Sequence, residues 1–174
     1  PLIRKPSSIQ LSRPFPQKMT GQSRRFFIDV DFLTEPGAGN STAGSKFISN
    51  VPEDRSRVVS VLAEGEGCGV RAGVTASLTA TMALRLAEKG ISLEQIAELI
   101  LHSPETTFIE KLDCPAFSVL EVSSGGTVEI LEFGHPPVHL YRKGDALPIN
   151  RDPISLFDDL NKTVYRSRVV CESG

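Results

Sequence analysis

The chain has 174 residues, 40% hydrophobic and 23% charged, with a formal net charge of -2, which suits one soluble, well-packed domain and gives little support for two. No apolar run approaches the ~18 to 20 residues of a membrane helix and the opening PLIRKPSS lacks a signal-peptide core, so the expectation is a cytoplasmic protein without a membrane span. The charge predicts no affinity for nucleic acid, and the widely spaced Cys68, Cys114 and Cys171 form no close metal-binding pair and read as reduced thiols.

Every ionisable side chain before residue 26 is basic: Arg4, Lys5, Arg13, Lys18, Arg24 and Arg25. With Pro, Ser and Gln between them and no periodicity, residues 1–24 read as a linker or tail, and 25–174 as the folded domain. A basic tail can touch phosphates, but a solvated linker from an upstream domain is the simpler reading. The missing initiator Met points to a fragment or a processed chain. Phe26 to Phe32 alternates, with Phe26, Ile28, Val30 and Phe32 opposite Asp29 and Asp31, and predicts a first strand. Residues 35–42 predict a loop, Lys46 to Ser49 a short strand and Pro52 to Ser56 a polar turn.

Arg57 to Ala63 is a β-branched apolar run suited to a buried strand. Glu64-Gly65-Glu66-Gly67-Cys68-Gly69 stops it with glycines in alternation, which permits a tight turn and close approach to a ligand. A long helix follows. Val70, Val74, Leu78, Met82 and Leu86 recur every fourth residue, and Ala72, Ala76, Ala80, Ala83 and Ala87 keep the neighbouring surface thin enough for close packing. Lys89-Gly90 is a natural helix stop. Ser92 and Gln95 then form a capping box ahead of a second helix, whose apolar face is Leu93, Ile96, Ala97, Ile100 and Leu101 and which ends at Ser103-Pro104.

From there the pattern changes to strands. Phe117 to Val122, a turn at Ser124-Gly125-Gly126, Thr127 to Phe133, Val138 to Arg142 and a turn at Lys143-Gly144 predict an antiparallel meander. Asp152 to Asn161 predicts one helical turn and Thr163 to Val170 a last strand. Strands, then two helices, then strands describe an α+β domain.

The glycine turn admits three readings. Gly67-Cys68-Gly69-Val70-Arg71-Ala72 fits a loose dinucleotide pattern, but that fold needs a second parallel strand where Gly90 leads into another helix. A phosphate-binding loop would need a Gly-Lys-Ser/Thr run, which is absent. The third has Glu64 and Glu66 offering carboxylates, and Gly65 its carbonyl, to a hard divalent cation such as Mg²⁺ or Mn²⁺. The residues alone leave this open against a turn carrying two solvated acids. His135 reads as a turn-former bonded to backbone, His139 as a strand residue, and His102 as a helix-end residue suited to the dipole. Cys68, at the start of the long helix, reads as a packed thiol.

The segment VVSVLAEGEGCGVRAGVTASLTATMAL closely resembles the strand, turn and helix of bacterial metal-dependent Ser/Thr protein phosphatases of the stage II sporulation protein E (SpoIIE) type. These are relatives of the type 2C (PPM) phosphatases, and their turn usually reads Asp-Gly-x-Gly-x-Gly. RFFIDVDF is similar to an opening strand of that family, and EFGHPPVHLYRKG to its Gly-His-Pro-Pro segment and the strand after it. The resemblance implies a PPM-like layered α/β/β/α sandwich with largely antiparallel sheets. It also implies two Mn²⁺ or Mg²⁺ ions on Asp carboxylates, activating a bridging water that attacks a phosphoserine or phosphothreonine.

Against that pattern, Glu64 stands where the family has its bridging Asp, and Gly44-Ser45 where it has Gly-Asp. The chain stops at Glu172-Ser173-Gly174, before the family's later Asp-Gly and final Asp, which implies a C-terminally truncated domain. The implied metal residues are Glu64, Gly65, Ser45 and Glu66, with binding weak or absent. Asp29 and Asp31 are implied to be structural. The function implied is hydrolysis of phosphoserine or phosphothreonine on a partner signalling protein with weakened activity. The alternative is a catalytically degenerate domain acting as a protein-binding or regulatory module. A phosphorylated substrate or regulatory protein is the implied partner, residues 70–101 are the implied coupling surface, and a homodimer is left open.

Overall fold

The computed structural model describes residues 28–33, 43–53, 55–67, 69–102, 115–155 and 163–171. Its centre is a six-stranded sheet in the order β1-β2-β3-β4-β8-β7. The strands are β1 (Ser45–Asn50), β2 (Arg57–Glu64), β3 (Ala116–Ser123), β4 (Thr127–Phe133), β7 (Asp152–Ser155) and β8 (Thr163–Val170), and every pairing is antiparallel. Two helices, α1 (Gly69–Glu88) and α2 (Leu93–Leu101), lie between β2 and β3 in the chain, while β5 (Leu140–Arg142) and β6 (Asp145–Leu147) form a separate hairpin. This is an α+β fold with antiparallel sheets.

The alternation of strand side chains sorts the sheet into two faces. Val59, Val61 and Ala63 of β2, Phe117 and Val119 of β3, Leu131 of β4 and Val164 of β8 join the helices in one buried cluster. On the helix side of that cluster, α1 contributes Ala76, Ala80, Ala83 and Ala87, and α2 contributes Leu93, Ile96, Ala97, Ile100 and Leu101. Full burial of each large aliphatic chain of α2 contributes about 1.5–3 kcal/mol. The alanines contribute less each, but they let the α1 backbone come close to the sheet.

Both helix ends are held by local chemistry. The Ser92 hydroxyl accepts the Gln95 N–H at 3.3 Å and the Gln95 side chain accepts the Ser92 N–H at 3.4 Å, completing the capping box. At the end of α1, Gly90 has φ 78, its N–H donates to the Ala87 carbonyl at 2.9 Å, and Ile91 N–H donates to Leu86 at 3.2 Å. That pair of bonds is a Schellman closure, which needs the left-handed residue glycine supplies. Arg57, at the start of β2, adds a bond from its guanidinium to the Ala87 carbonyl at 2.6 Å, satisfying one of the last carbonyls of α1. Arg166 of β8 pairs with Glu94 in the first turn of α2 and with Glu129 of β4, fastening that helix to the sheet.

Several expectations change. Residues 28–33 form no strand among the described residues; Phe32 instead stacks on Phe47 of β1, centroids 4.8 Å apart, so its ring reaches the sheet without backbone pairing. Residues 26–27, the expected loop at 35–42 and Cys114 lie outside the described residues. The meander stops after β4: Pro136 and Pro137 lead away from the sheet, and β5 pairs only with β6 across Lys143 (φ 53) and Gly144 (φ 94). His139 precedes β5 rather than lying on it. Of residues 152–161, expected to hold one helical turn, 152–155 pair with β8 as an edge strand, a position where Pro153 removes no interior ladder bond; residues 156–162 lie outside the described set. In α1 the alanine stripe is buried while Val70, Val74 and Leu78 are 68%, 53% and 50% exposed.

Gly65 shows why α1 can pack so closely. A Cβ there would lie 2.1 Å from the Ala72 carbonyl oxygen and 2.7 Å from its carbonyl carbon, both backbone atoms that a rotamer change cannot move away. Gly65→Ala is expected to cost about 3 kcal/mol or more in chemical denaturation, whereas Gly125→Ala, whose nearest neighbour is the Ser123 hydroxyl at 3.8 Å, stays within about 1 kcal/mol of the parent. Equal midpoints for the two variants would contradict the close approach.

Candidate functional site

The candidate site forms at the carboxyl end of β2, where the sheet register aligns residues distant in sequence. Ser45 pairs with Glu64, and Glu64 with Ala116, so the three stand in one row across β1, β2 and β3. Because Val59, Val61 and Ala63 face the helices, Glu64 projects from the opposite face. Beyond this row the Gly65 N–H donates to the Gly44 carbonyl at 2.9 Å, which holds the start of β1 beside the turn. The carbonyl oxygens of Gly65 and Gly67 lie 3.9 and 3.8 Å from where a Gly44 side chain would begin, so this end of the sheet is lined with oxygen atoms. Gly67 (φ 81) and Gly69 (φ 76) bend the chain into α1. Glu64 and Glu66 are both exposed, and Cys68 lies outside the described residues.

His135 joins this end from β4. Gly134 has φ 72, and a Cβ on it would meet Ala116 Cβ at 2.9 Å, so the chain turns there tightly against β3. The turn places His135 Nδ1 2.7 Å from Ser118 Oγ and Nε2 3.9 Å from the Glu64 carboxylate, with the imidazole 6% exposed. Nε2 is buried and makes no hydrogen bond. The expectation for His135 was a backbone bond; the partner is instead the Ser118 hydroxyl, a residue that strand periodicity marks only as the third position of β3. Burial holds the His135 pKa below 6.5, against the opposing pull of the Glu64 and Glu132 carboxylates.

The segment following His135 is pinned by Glu132. That side chain, buried on β4, accepts the Val138 N–H at 2.9 Å and pairs with Arg151 Nε at 3.1 Å. The Arg151 guanidinium in turn lies 3.6 Å from the centre of the Tyr165 ring. A buried carboxylate stripped of its cation is costly, so Glu132 and Arg151 fix the loop that carries His135.

Of the residues expected to hold metal, Ser45, Glu64 and Gly65 are brought together, while Glu66 lies one residue further along the turn. Among the described residues no three His, Cys, Asp or Glu side chains converge as a metal cluster. They therefore do not fit the carboxylate set that two hard cations require.

An antiparallel α+β domain with a glycine turn joining a central strand to a sheet-covering helix agrees with the type 2C class of phosphatases. The family described as stage II sporulation protein E (SpoIIE) matches residues 54–163. The chain belongs to this family, a metal-dependent branch of the type 2C (PPM) phosphatases. No curated protein matches. Among solved structures the chain is similar to the RsbU and RsbW domains of a Mycobacterium tuberculosis protein, at 20% identity and a TM-score of 0.48 over 59% of this chain and 28% of that one. It is also similar to the phosphatase domain of the cell-fate determinant SpoIIE from Bacillus subtilis, at 12% identity and a TM-score of 0.49 over 81% of this chain and 60% of that one. The chain thus spans less than two thirds of either structure.

The lowered pKa of His135 has a signed consequence. An unfolded histidine takes up its proton near pH 6.5, while the folded one resists until lower pH. The stability contributed by neutral His135 is therefore present above 6.5 and lost as pH falls through the folded value. In EDTA, the parent is expected to lose more stability than His135→Gln between pH 7 and about pH 5; parallel profiles would contradict the assignment. Arg151→Met, which leaves Glu132 buried without its cation, is expected to cost about 2–4 kcal/mol in urea denaturation, reduced from the fully buried case by the partial exposure of Arg151.

Proposed function

We propose that residues 25–174 act as a metal-dependent protein Ser/Thr phosphatase domain with weakened activity, removing phosphate from phosphoserine or phosphothreonine of a partner signalling protein, and that residues 1–24 are a basic linker. The observation that carries this reading is the Glu64 carboxylate, 64% exposed, at the end of the central strand, inside the family-matched segment and opposite Ser45. Bound there, Mn²⁺ or Mg²⁺ would supply a water of lowered pKa and neutralise charge on the phosphoryl oxygens. Glu64, Ser45 and the Gly65 carbonyl are the proposed oxygen donors, with Glu66 placed to attract the cation electrostatically.

The chain's own contribution is positional. Gly65 locks the turn to α1, the β1 pairing holds the Ser45 hydroxyl opposite Glu64, and the glycines leave backbone accessible to a phosphate. Two features weaken the site: Ser45 brings no charge, and Glu64 carries its carboxylate one methylene further out than an Asp. A second reading, a phosphatase-like module that binds a regulatory protein without catalysis, is favoured by Val70, Val74 and Leu78. These three form an exposed apolar stripe at the start of α1, next to the turn.

The test is Mn²⁺-dependent turnover of a phosphoserine peptide by the parent and by the double variant Ser45→Asp, Glu64→Asp. Slow turnover is expected in the parent, rising about tenfold or more in the double variant, equivalent to ~1.4 kcal/mol of barrier. Equal, rapid turnover in both would sink the weakened-site reading. No turnover in either would leave the binding module.

A further inference from the structure

We infer that β1 is the docking edge for the partner: an extended phosphorylated segment adds to it as a further antiparallel strand, with the phosphoserine opposite Ser45 and an apolar residue two positions earlier opposite Phe47. The inference rests on the reading of the Glu64 strand end as a phosphoryl site given above, and names the backbone shape and the sequence that reach it.

The two edges of the sheet are built differently. At one edge β7 has four residues and carries Pro153, features that blunt an edge against strand addition. β1, outermost at the other edge among the described residues, has six residues, no proline and an unbroken register from Ser45–Glu64 to Asn50–Val59. None of its residues is buried, and Lys46 is its one charged side chain. A regular edge with so little charge is a ready template for another strand.

The pairing with β2 sets which backbone groups face outward. Antiparallel pairs alternate between residues that exchange hydrogen bonds and residues that do not. The Gly65 N–H donates to the Gly44 carbonyl, so Gly44 is of the bonded kind, and Ser45, Phe47 and Ser49 direct their N–H and C=O groups away from β2. Their side chains share the sheet face of Glu64, with which Ser45 is paired. A strand bonded to these three residues sends every second side chain to that face. Opposite Ser45 it stands two strand spacings, about 9.5 Å, from the Glu64 backbone, with only the small Ser45 side chain between, so a phosphoserine and Glu64 can meet over the hydroxyl. The antiparallel direction, shared by every pairing in this sheet, puts the residue two before the phosphoserine opposite Phe47. Its neighbours there are apolar: Phe32 stacks on Phe47, Leu62 is paired with it, and Phe32 and Leu33 are more than half exposed.

The probe is a short phosphoserine peptide with leucine two residues before the phosphoserine, added to the full chain in Mn²⁺ and followed by fluorescence anisotropy and amide hydrogen exchange. The expected result is binding with slowed exchange across Ser45–Asn50. Moving the leucine to the position just before the phosphoserine should weaken binding roughly two- to fivefold. N-methylation of the leucine amide, which faces β1, should weaken it about tenfold or more, while N-methylation one residue later, on an amide facing away, changes little. Ser49→Pro, which removes an outward N–H, should weaken binding about tenfold relative to Ser49→Ala; the alanine variant keeps that N–H and loses the same hydroxyl contacts to Ser60 and the Val59 carbonyl. No protection of β1, equal effects of the two N-methyl groups, equal binding of the unphosphorylated peptide, or a dimer of the free chain with β1 already protected would each overturn the inference. Phosphatase turnover is scored separately: turnover without protection of β1 overturns only this inference, and protection with the N-methyl pattern but no turnover upholds it while overturning the catalytic reading.

Discussion

The contact on which the rest of the structure depends is backbone against backbone: Gly65, where β2 ends, meets the Ala72 carbonyl in the first turns of α1 with no room for a Cβ. At the other end of the same strand, Arg57 reaches the Ala87 carbonyl near the end of α1. The central strand and the long helix are thereby joined at both ends, and the buried alanines between let the helix lie close along the sheet. A helix with larger residues on that stripe would stand further off, and the glycine turn would have nothing to close against. The position of Glu64 follows from this joint, since the residue before Gly65 has little freedom once the turn is locked.

The sheet divides its work between its faces. The helix face is apolar and supplies the main core. The other face mixes apolar and polar groups: Ser60, Glu132 and Ser167 are buried there, Ser49 and Ser60 share a hydrogen bond of 2.9 Å, and Ser118 holds His135. Buried polar groups on this scale are tolerated when partnered, and Glu132 is fully so. Unlike them, His135 keeps one buried nitrogen without a hydrogen-bond partner, 3.9 Å from the Glu64 carboxylate.

Much of the architecture was legible because local signals and tertiary packing agree. The capping box at Ser92, the glycine stop at Gly90 and the α2 face Leu93, Ile96, Ala97, Ile100 and Leu101 all stand where the pattern puts them. Thr127 to Phe133 and Thr163 to Val170 have the predicted ends as well. In α1 the periodicity defined two neighbouring stripes, and hydrophobicity alone would have buried the valines. The alanines win because close approach of backbones, not side-chain size, sets the distance at Gly65. Of the span 152–161, read locally as holding one helical turn, residues 152–155 are instead drawn to the edge of β8 as a strand. The pairing of Glu64 with Ser45 was within reach of family resemblance. Its proximity to His135 and Ser118 was not, because only the β2-β3-β4 register, with its turn at Gly134, brings those segments together.

The central claim is that the strand end bearing Glu64 is built to hold a cation. The most direct measurement is an anomalous difference map from a crystal of the metal-free protein soaked in Mn²⁺ and recorded on both sides of the manganese absorption edge. The account predicts a peak within bonding distance of the Glu64 carboxylate. A map with no peak there, or with manganese only on other side chains, would contradict it.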